Sequence, residues 1–212
     1  MLSRVLAGVL GRAERARQTA QWIPTRVRFA LRGHQECWKT FTHMTSRERL
    51  LLYRLGRLQS PGCVLLEVGS YLGASACFLA ATTRELGEGS RVHCVDTWEN
   101  QGMTEGPRDT WETFCQNTLP YADQIIAHRG LSVDIARSFE ERIDLLFLDG
   151  DHSYEGCRAD IEAWLPHLTN GGVLVMHDIG WAEGVQRVVH ELVRNRESEP
   201  GHTLDNIYWT RL

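Results

Sequence analysis

Several features that would settle a protein's class at once are missing from this 212-residue chain. No stretch approaches the roughly 18 uninterrupted apolar residues of a membrane span. The six cysteines, at 37, 63, 77, 94, 115 and 157, include no C-x-x-C pair, and no histidine cluster completes a zinc set. Cys63, Cys77 and Cys94 fall in or beside apolar runs, where a free thiol packs as a small hydrophobe. Reduced core cysteines in a cytoplasmic protein are therefore expected, and no spacing demands a disulfide. There is neither a G-x-G-x-x-G dinucleotide fingerprint nor a G-x-x-x-x-G-K-[ST] phosphate loop. Internal repeats and low-complexity tracts are absent. Positive charge is in deficit, with a net charge of -4, which argues against a dedicated nucleic-acid binder.

What is present is an ordinary globular composition, 24% charged and 42% hydrophobic, in a length that suits one domain with a full core. Charge is unevenly placed. Residues 1–49 carry 10 Lys+Arg against 3 Asp+Glu, and the other 163 carry 13 against 24. The basic excess belongs to an extension over 1–44, broken by Pro24 and Gly33, and the acidic excess to a domain over 45–212. Leu2, Val5, Leu6, Val9 and Leu10 have amphipathic helical spacing, with Arg4, Arg12, Arg15 and Arg17 nearby. Three readings stay open: a helix packed on the domain or on a second subunit, a membrane-surface helix in peripheral contact, or an organelle transit segment. An apolar arm of this kind favours a homo-oligomer, most simply a dimer.

The most informative stretch is Val64-Leu65-Leu66-Glu67-Val68-Gly69-Ser70-Tyr71-Leu72-Gly73-Ala74-Ser75. An apolar run ending on a carboxylate, then a glycine turn, then a helix start is how an α/β protein builds a nucleotide-shaped pocket. Gly69 and Gly73 let a ligand approach the backbone. Glu67 would repel a phosphate, so the pocket suits S-adenosylmethionine, with its amino group and sulfonium, better than a dinucleotide. The plain alternative is a tight strand-to-helix turn in some other α/β protein. Ser75, on the first helical turn, reaches a ligand carboxylate or simply packs.

The remaining pattern alternates strands and helices. Thr45 and Glu48 have capping-box spacing ahead of a helix that ends near Ser60-Pro61-Gly62. Strands are expected at 63–68, 91–95, 124–128, 143–148 and, after a turn at Asn170-Gly171-Gly172, at 173–176. Helices are expected near 73–86, 111–117, 132–139, 154–165 and 183–194, with one closing strand near 206–211. A polar loop over 99–108 would lie above the pocket. This order implies an α/β, doubly wound, mostly parallel Rossmann-like sheet behind a helical N-terminal extension.

Ligands of such sheets sit at the carboxyl ends of the strands. Glu67, Asp96, Asp149 and Asp178 all end or closely follow a strand. Asp96 is placed to accept from both ribose hydroxyls, or to cap a loop. Trp98 covers one side of the adenosine or is a buried loop aromatic. Ser132 serves the adenine edge or caps the next helix. Asp149 and Asp178, on neighbouring strand ends, can share a hard cation such as Mg²⁺, which would lower the pKa of a bound hydroxyl. His177 completes that shell or supports it from behind. His152 is the candidate general base, or a structural histidine donating to a loop carbonyl.

Four ordered motifs over about residues 45–195 resemble class I S-adenosylmethionine-dependent methyltransferases. They are Leu66–Ser75, Val95-Asp96-Thr97-Trp98, Phe147-Leu148-Asp149-Gly150-Asp151-His152-Ser153-Tyr154 and Gly171–Asp178. The chain looks most like the bacterial group that includes macrocin O-methyltransferase and cephalosporin-hydroxylase-like proteins, and is more distantly similar to catechol O-methyltransferase. The resemblance implies a cofactor site of Glu67, Gly69, Ser70, Tyr71, Gly73, Ser75, Asp96, Thr97, Trp98, Ser132 and Asp149. It implies metal positions at Asp149, His177 and Asp178, with His177 where several relatives place an acid. Catechol O-methyltransferase has a lysine base just after its first metal aspartate; here Asp151-His152 occupies that place, so His152, with Asp149 beside the transferred group, would do its work. Relatives commonly finish with two strands, whereas only one is evident here.

The expected function is O-methylation of a small-molecule hydroxyl, on a natural product, sugar or aromatic, with Trp111, Phe114 and Trp181 in the loops that shape the acceptor pocket. Two alternatives use the same fold: an enzyme of non-methyl chemistry, as the hydroxylase-like relatives suggest, and a non-catalytic cofactor-binding protein.

Overall fold

The computed structural model describes residues 20–101 and 106–212. The amphipathic pattern at Leu2–Leu10 and the Gly102 portion of the polar loop lie outside the described residues. The chain divides into two compact units, one ending at Glu36 and one spanning Cys37–Leu212.

In the first unit, helix α1 (Ile23–Leu31) starts with Pro24, whose missing N–H costs nothing in a first turn. Ile23, Val27 and Leu31, four residues apart, leave an apolar stripe exposed along it.

The second unit opens with α2 (Ser46–Gly56), and the expected capping box is formed: Thr45 Oγ1 accepts from Glu48 N, and the Glu48 carboxylate accepts from Thr45 N. There follow β1 (Val64–Val68), α3 (Ala74–Leu86), β2 (Arg91–Asp96), α4 (Trp111–Thr118), β3 (Ile125–Arg129), α5 (Ser132–Arg137), β4 (Ile143–Leu148), α6 (Tyr154–Trp164), β5 (Leu168–Met176), α7 (Glu183–Val188), β6 (His202–Leu204) and β7 (Ile207–Arg211). One sheet of seven strands results, ordered β3-β2-β1-β4-β5-β7-β6. The first five strands run parallel, and β7 and β6 run antiparallel at one side. The α/β, mostly parallel architecture expected from the sequence is the one observed.

β1 and β4 are adjacent at the centre, and almost every residue in them is buried. Their apolar runs read as strands covered on both faces, which is what a parallel sheet requires. Strand order reverses between them, so the binding crevice of this topology opens at the carboxyl ends of β1 and β4. The ladder continues one residue past the strands there. Gly69 N donates to Val95 O, Asp149 N to Val68 O and His177 N to Leu148 O, at 2.9, 2.9 and 3.0 Å. Gly69, Asp149 and His177 therefore line up along one rim.

Three local expectations are corrected. Asn170-Gly171-Gly172 is not a turn before the fifth strand; β5 begins at Leu168 and runs through it. Gly171 takes a φ of +76°, and the pairing with β4 shifts register between Ile143 and Leu145, so the glycines make a bulge. The helix expected to reach Arg194 ends as α-helix at Val188 and continues as a wider π turn over Val189–Val193. The chain also closes with two strands rather than one. β6 and β7 form a hairpin through Asp205-Asn206, with Asp205 at φ +52°, a conformation that a two-residue hairpin loop demands. Among the described residues no helix is long and apolar enough to cross a membrane.

Candidate active site

The turn after β1 is shaped by close approach. Gly69 has a φ of +85°, and a Cβ on it would stand 2.1 Å from Asp149 O, so the ends of β1 and β4 are in backbone contact. Gly73, at φ +86°, caps α3 where a Cβ would strike Thr118 Cγ2 at 2.5 Å. Between them Tyr71 is held at φ +47°, its N–H donating to Asp96 Oδ2 at 2.8 Å. Glu67 lies beneath this turn, fully buried, with neither carboxylate oxygen hydrogen-bonded. Burial pushes its pKa from 4.5 up to about 7, although the nearby Ser75 and Ser70 hydroxyls pull the other way. Ser70 Oγ is likewise buried without a partner, and Ser75 is buried beside it. A buried carboxylate left without hydrogen-bond partners is costly, and a cationic group bound over the turn would relieve it. The turn thus suits the ammonium and sulfonium of S-adenosylmethionine.

Asp96 ends β2 with both oxygens oriented by backbone: Oδ2 by Tyr71 N and Oδ1 by Trp98 N, at 2.8 and 2.7 Å. Each keeps a lone pair for a ribose hydroxyl. Thr97 is engaged locally, its Oγ1 accepting from Glu99 N at 3.3 Å and its carbonyl from Arg129 Nε at 3.3 Å. Trp98 is fully buried, its ring 4.6 Å from that of Trp111 and 4.7 Å from that of Phe114. The indole is core, as in the buried-aromatic reading, and the Trp98 backbone N–H serves to orient Asp96. Ser132 does not cap α5, because Leu131 holds the N-cap position. Its Oγ accepts from Trp164 Nε1 at 2.7 Å, which ties the start of α5 to α6.

Beyond β4 and β5 the rim carries a cluster of acids and imidazoles. His152 Nε2 lies 2.8 Å from Asp178 Oδ2. His177 Nδ1 lies 3.1 Å from Asp149 Oδ1 and 3.2 Å from Asp178 Oδ1, and its Nε2 lies 3.6 Å from Glu48 Oε1. Burial disfavours a charged His177 ring, but hydrogen bonds to Asp149 and Asp178 and the Glu48 charge 3.6 Å away outweigh it and push the pKa up to about 12. The two carboxylates at Nδ1 thus favour the protonated ring. Asp178 is buried too, yet its bonds to His152 and His177 hold it well below the usual carboxylate range. His152 is raised above 6.5, first by its hydrogen bond to Asp178 and against the effect of burial. Burial raises Asp149, with His177 opposing.

Local structure holds this cluster in place. Asp178 sits at φ +61°. Trp181 Nε1 donates to Asp178 Oδ1 at 2.7 Å, while its exposed indole stands edge-on to the His152 ring at 5.2 Å. Asp151 Oδ1 accepts from Ser153 N at 2.7 Å, and Ser153 caps α6. A Cβ on Gly184 would lie 2.4 Å from His152 O, so α7 packs directly on the His152 loop. Among the described residues, the ligand atoms that converge closely enough to hold a cation, within 4.8 Å of one another, come from Asp149, His152 and Asp178. His177, expected as the third member of that set, has its Nδ1 in contact with both carboxylates. Glu48 joins the cluster from 129 residues away; its capping-box spacing marked the helix start and carried no sign of the site.

The family described as a methyltransferase domain matches residues 66–179. An uncharacterized protein, y4gI, of Sinorhizobium fredii is 27% identical over 161 residues, covering 68% of this chain and 17% of that protein. The chain thus spans under a fifth of that curated relative. Among solved structures, the O-methyltransferase NovP superposes with a TM-score of 0.69 at 14% identity, over 80% of this chain and 81% of NovP. An O-methyltransferase from Bacillus cereus, solved with S-adenosylhomocysteine, gives 0.61 at 18% identity over 80% and 82%. TomG from Streptomyces achromogenes, an O-methyltransferase of tomaymycin synthesis solved with S-adenosylmethionine, gives 0.61 at 19% identity over 79% and 81%. At these identities the structural likeness speaks for the fold. The family match runs from the centre of β1 to just past Asp178, the whole span of the sheet rim that carries the site, and on that ground the chain belongs to the methyltransferase family and carries its class I fold.

Proposed function

We propose that the chain is an S-adenosylmethionine-dependent O-methyltransferase acting on a hydroxyl of a small molecule, within the group that resembles macrocin O-methyltransferase. The observation that carries this reading is the His152–Asp178 pair, set beside Asp149 on the same rim as the Glu67–Gly73 turn. The turn fits the methionine end, since a cationic ligand over it would draw the fully buried, unpartnered Glu67 into its charged form. Asp96 fits the ribose. The ligands named for the Bacillus cereus and TomG structures support the same cofactor. When bound, that cofactor supplies a methyl group on a sulfonium leaving group.

The chain's residues then have distinct tasks. Asp178, kept ionised, holds the His152 ring through Nε2, which leaves Nδ1 as the nitrogen that takes the acceptor hydroxyl proton. His177 sets a fixed positive charge between Asp149 and Asp178, so that two carboxylates share the rim without mutual repulsion. Trp181 offers an exposed indole against which a sugar or aromatic acceptor can lie. Most of the acceleration comes from holding the oxygen in line with the methyl group. Asp149, His152 and Asp178 are also the residues that would hold a divalent cation, which would lower the pKa of a bound hydroxyl.

Calorimetry with S-adenosylmethionine, with and without Mg²⁺, on wild type and Asp178→Ala tests the reading. Cofactor binding without added Mg²⁺ heat leaves His152 as the base. A Mg²⁺ signal lost in Asp178→Ala assigns the cation to the rim. Absence of any affinity for the cofactor overturns the proposal.

A further inference from the structure

We propose that Glu48, a helix-capping residue by its sequence position, is a positioning residue for the transfer reaction. The inference rests on the reading of Asp149 and Asp178 as the transfer site.

Capping accounts for only half of this side chain. Glu48 Oε2 accepts from Thr45 N at 2.6 Å, which closes the capping box. A capping glutamate can do that at the surface, where its charge stays hydrated. Glu48 is instead 1% exposed. A carboxylate is buried at a cost unless partners meet it, and its other oxygen shows what they are. Oε1 accepts from Asn206 N at 2.8 Å and lies 3.6 Å from His177 Nε2. The His177 ring is thereby spanned by acids on three elements: Glu48 on α2 at one nitrogen, and Asp149 and Asp178, after β4 and β5, at the other.

Asn206 links the same carboxylate to Asp178 by a second route. Its carbonyl accepts from Ile179 N at 3.1 Å, one residue beyond the strained Asp178. A Cβ on Gly180 would stand 2.2 Å from Asn206 Oδ1, so the hairpin tip lies directly on the 178–180 loop. The tip is in turn held by α2: Asp205 Oδ2 accepts from Thr45 Oγ1 at 3.1 Å and from Arg47 Nε at 3.0 Å, and Arg47 Nη2 also bonds Asp205. Glu48 thus joins the helix start to the hairpin tip and sets its charge 3.6 Å from His177 Nε2, a buried nitrogen with no hydrogen-bond partner. That charge draws the ring toward α2, and through the ring it biases the separation at which Asp149 and Asp178 face the acceptor.

The test uses the full chain with Glu48→Gln, Glu48→Ala and Thr45→Ala, which removes the cap bond and the Thr45 contact with Asp205 but leaves the Glu48 charge in place. Glutamine removes the charge facing His177 and keeps one acceptor oxygen, which can serve Thr45 N or Asn206 N but not both. Ring-nitrogen magnetic resonance of His177, assigned by its loss in His177→Gln, is read beside the melting temperature and calorimetric S-adenosylmethionine affinity. Glu48→Gln is expected to move the His177 ring signals while cofactor affinity stays as in wild type. Thr45→Ala is expected to lower the melting temperature and leave those signals in place. His177 signals unchanged in Glu48→Gln, or moved equally by Thr45→Ala, would overturn the proposal, and the glutamine variant decides it even if Glu48→Ala does not fold. Failure of the methyltransferase reading shows separately, as absent cofactor binding in the wild type.

Discussion

His152 and Asp178 meet through Nε2 and Oδ2 at 2.8 Å, although they follow different strands. The contact brings together the one partly exposed imidazole of the rim and an acid that stays ionised. It fixes which ring nitrogen faces outward, and it raises the basicity of that ring.

Asp178→Asn is therefore expected to lower transfer by about 10²- to 10⁴-fold, the usual contribution of a positioned base. Cofactor affinity should be nearly unchanged, since the methionine and ribose ends are built from Glu67 through Asp96. Turnover measured with a labelled methyl group, paired with calorimetry, checks this. Equal loss in both measurements would mean that Asp178 serves the cofactor instead.

The same contact predicts a pH profile. A base works when neutral, so the rate should climb as pH rises through the His152 pKa, which lies above its ordinary 6.5. In Asp178→Asn the residual rate should climb at lower pH, because the hydrogen bond that raises His152 is weakened. A profile that does not move between the two proteins would remove His152 from the role.

Glu67 ties stability to pH. Its folded pKa, about 7, exceeds the ordinary 4.5, so folding favours the protonated form. Below 4.5 the residue costs nothing by this route, and between 4.5 and about 7 stability falls as pH rises. Above that window the cost is about 3 kcal/mol. Glu67→Gln should raise the melting temperature in mildly alkaline buffer by on the order of 5–10 °C and change it little in acid, while weakening S-adenosylmethionine binding. Scanning calorimetry at both ends of the window reads the difference. A pH-independent shift would mean that packing, not charge, dominates at this position.

Gly69→Ala should damage both fold and site. The new Cβ would sit 2.1 Å from Asp149 O on a backbone at φ +85°. Left-handed strain alone costs about 1–2 kcal/mol, and separating the ends of β1 and β4 adds to it. Lower melting temperature and lost cofactor affinity are expected together, whereas Gly87→Ala, also at positive φ but with open space around it, should lower stability and leave affinity intact.

Much of this architecture is legible in the residues themselves. Ile143–Leu148 reads as a buried strand and is one, residue for residue. The Thr45–Glu48 spacing reads as a capping box and forms one. The acids at the carboxyl ends of β1, β2, β4 and β5 lie along one rim, because parallel strands place all those ends together. Other features leave no local trace. β6 is three residues of exposed or half-buried chain with no apolar alternation, so nothing in His202-Thr203-Leu204 announces it. Gly171-Gly172 reads as a turn because a bulge uses the same residues. The contact of Glu48 with His177 exists only once α2 and β5 have docked, and no spacing rule reaches across that separation.

The position of β7 between β5 and β6 ties the far side of the sheet to the rim. Without residues 207–211 beside it, β5 would present an unpaired edge. His177 and Asp178 hang from that edge, and the hairpin tip that bonds Glu48 and Ile179 belongs to the same strand pair. The turns after β1 and β2 are joined to their neighbours without β6 or β7, whereas loosening the hairpin would release the edge strand and the acid–imidazole cluster together.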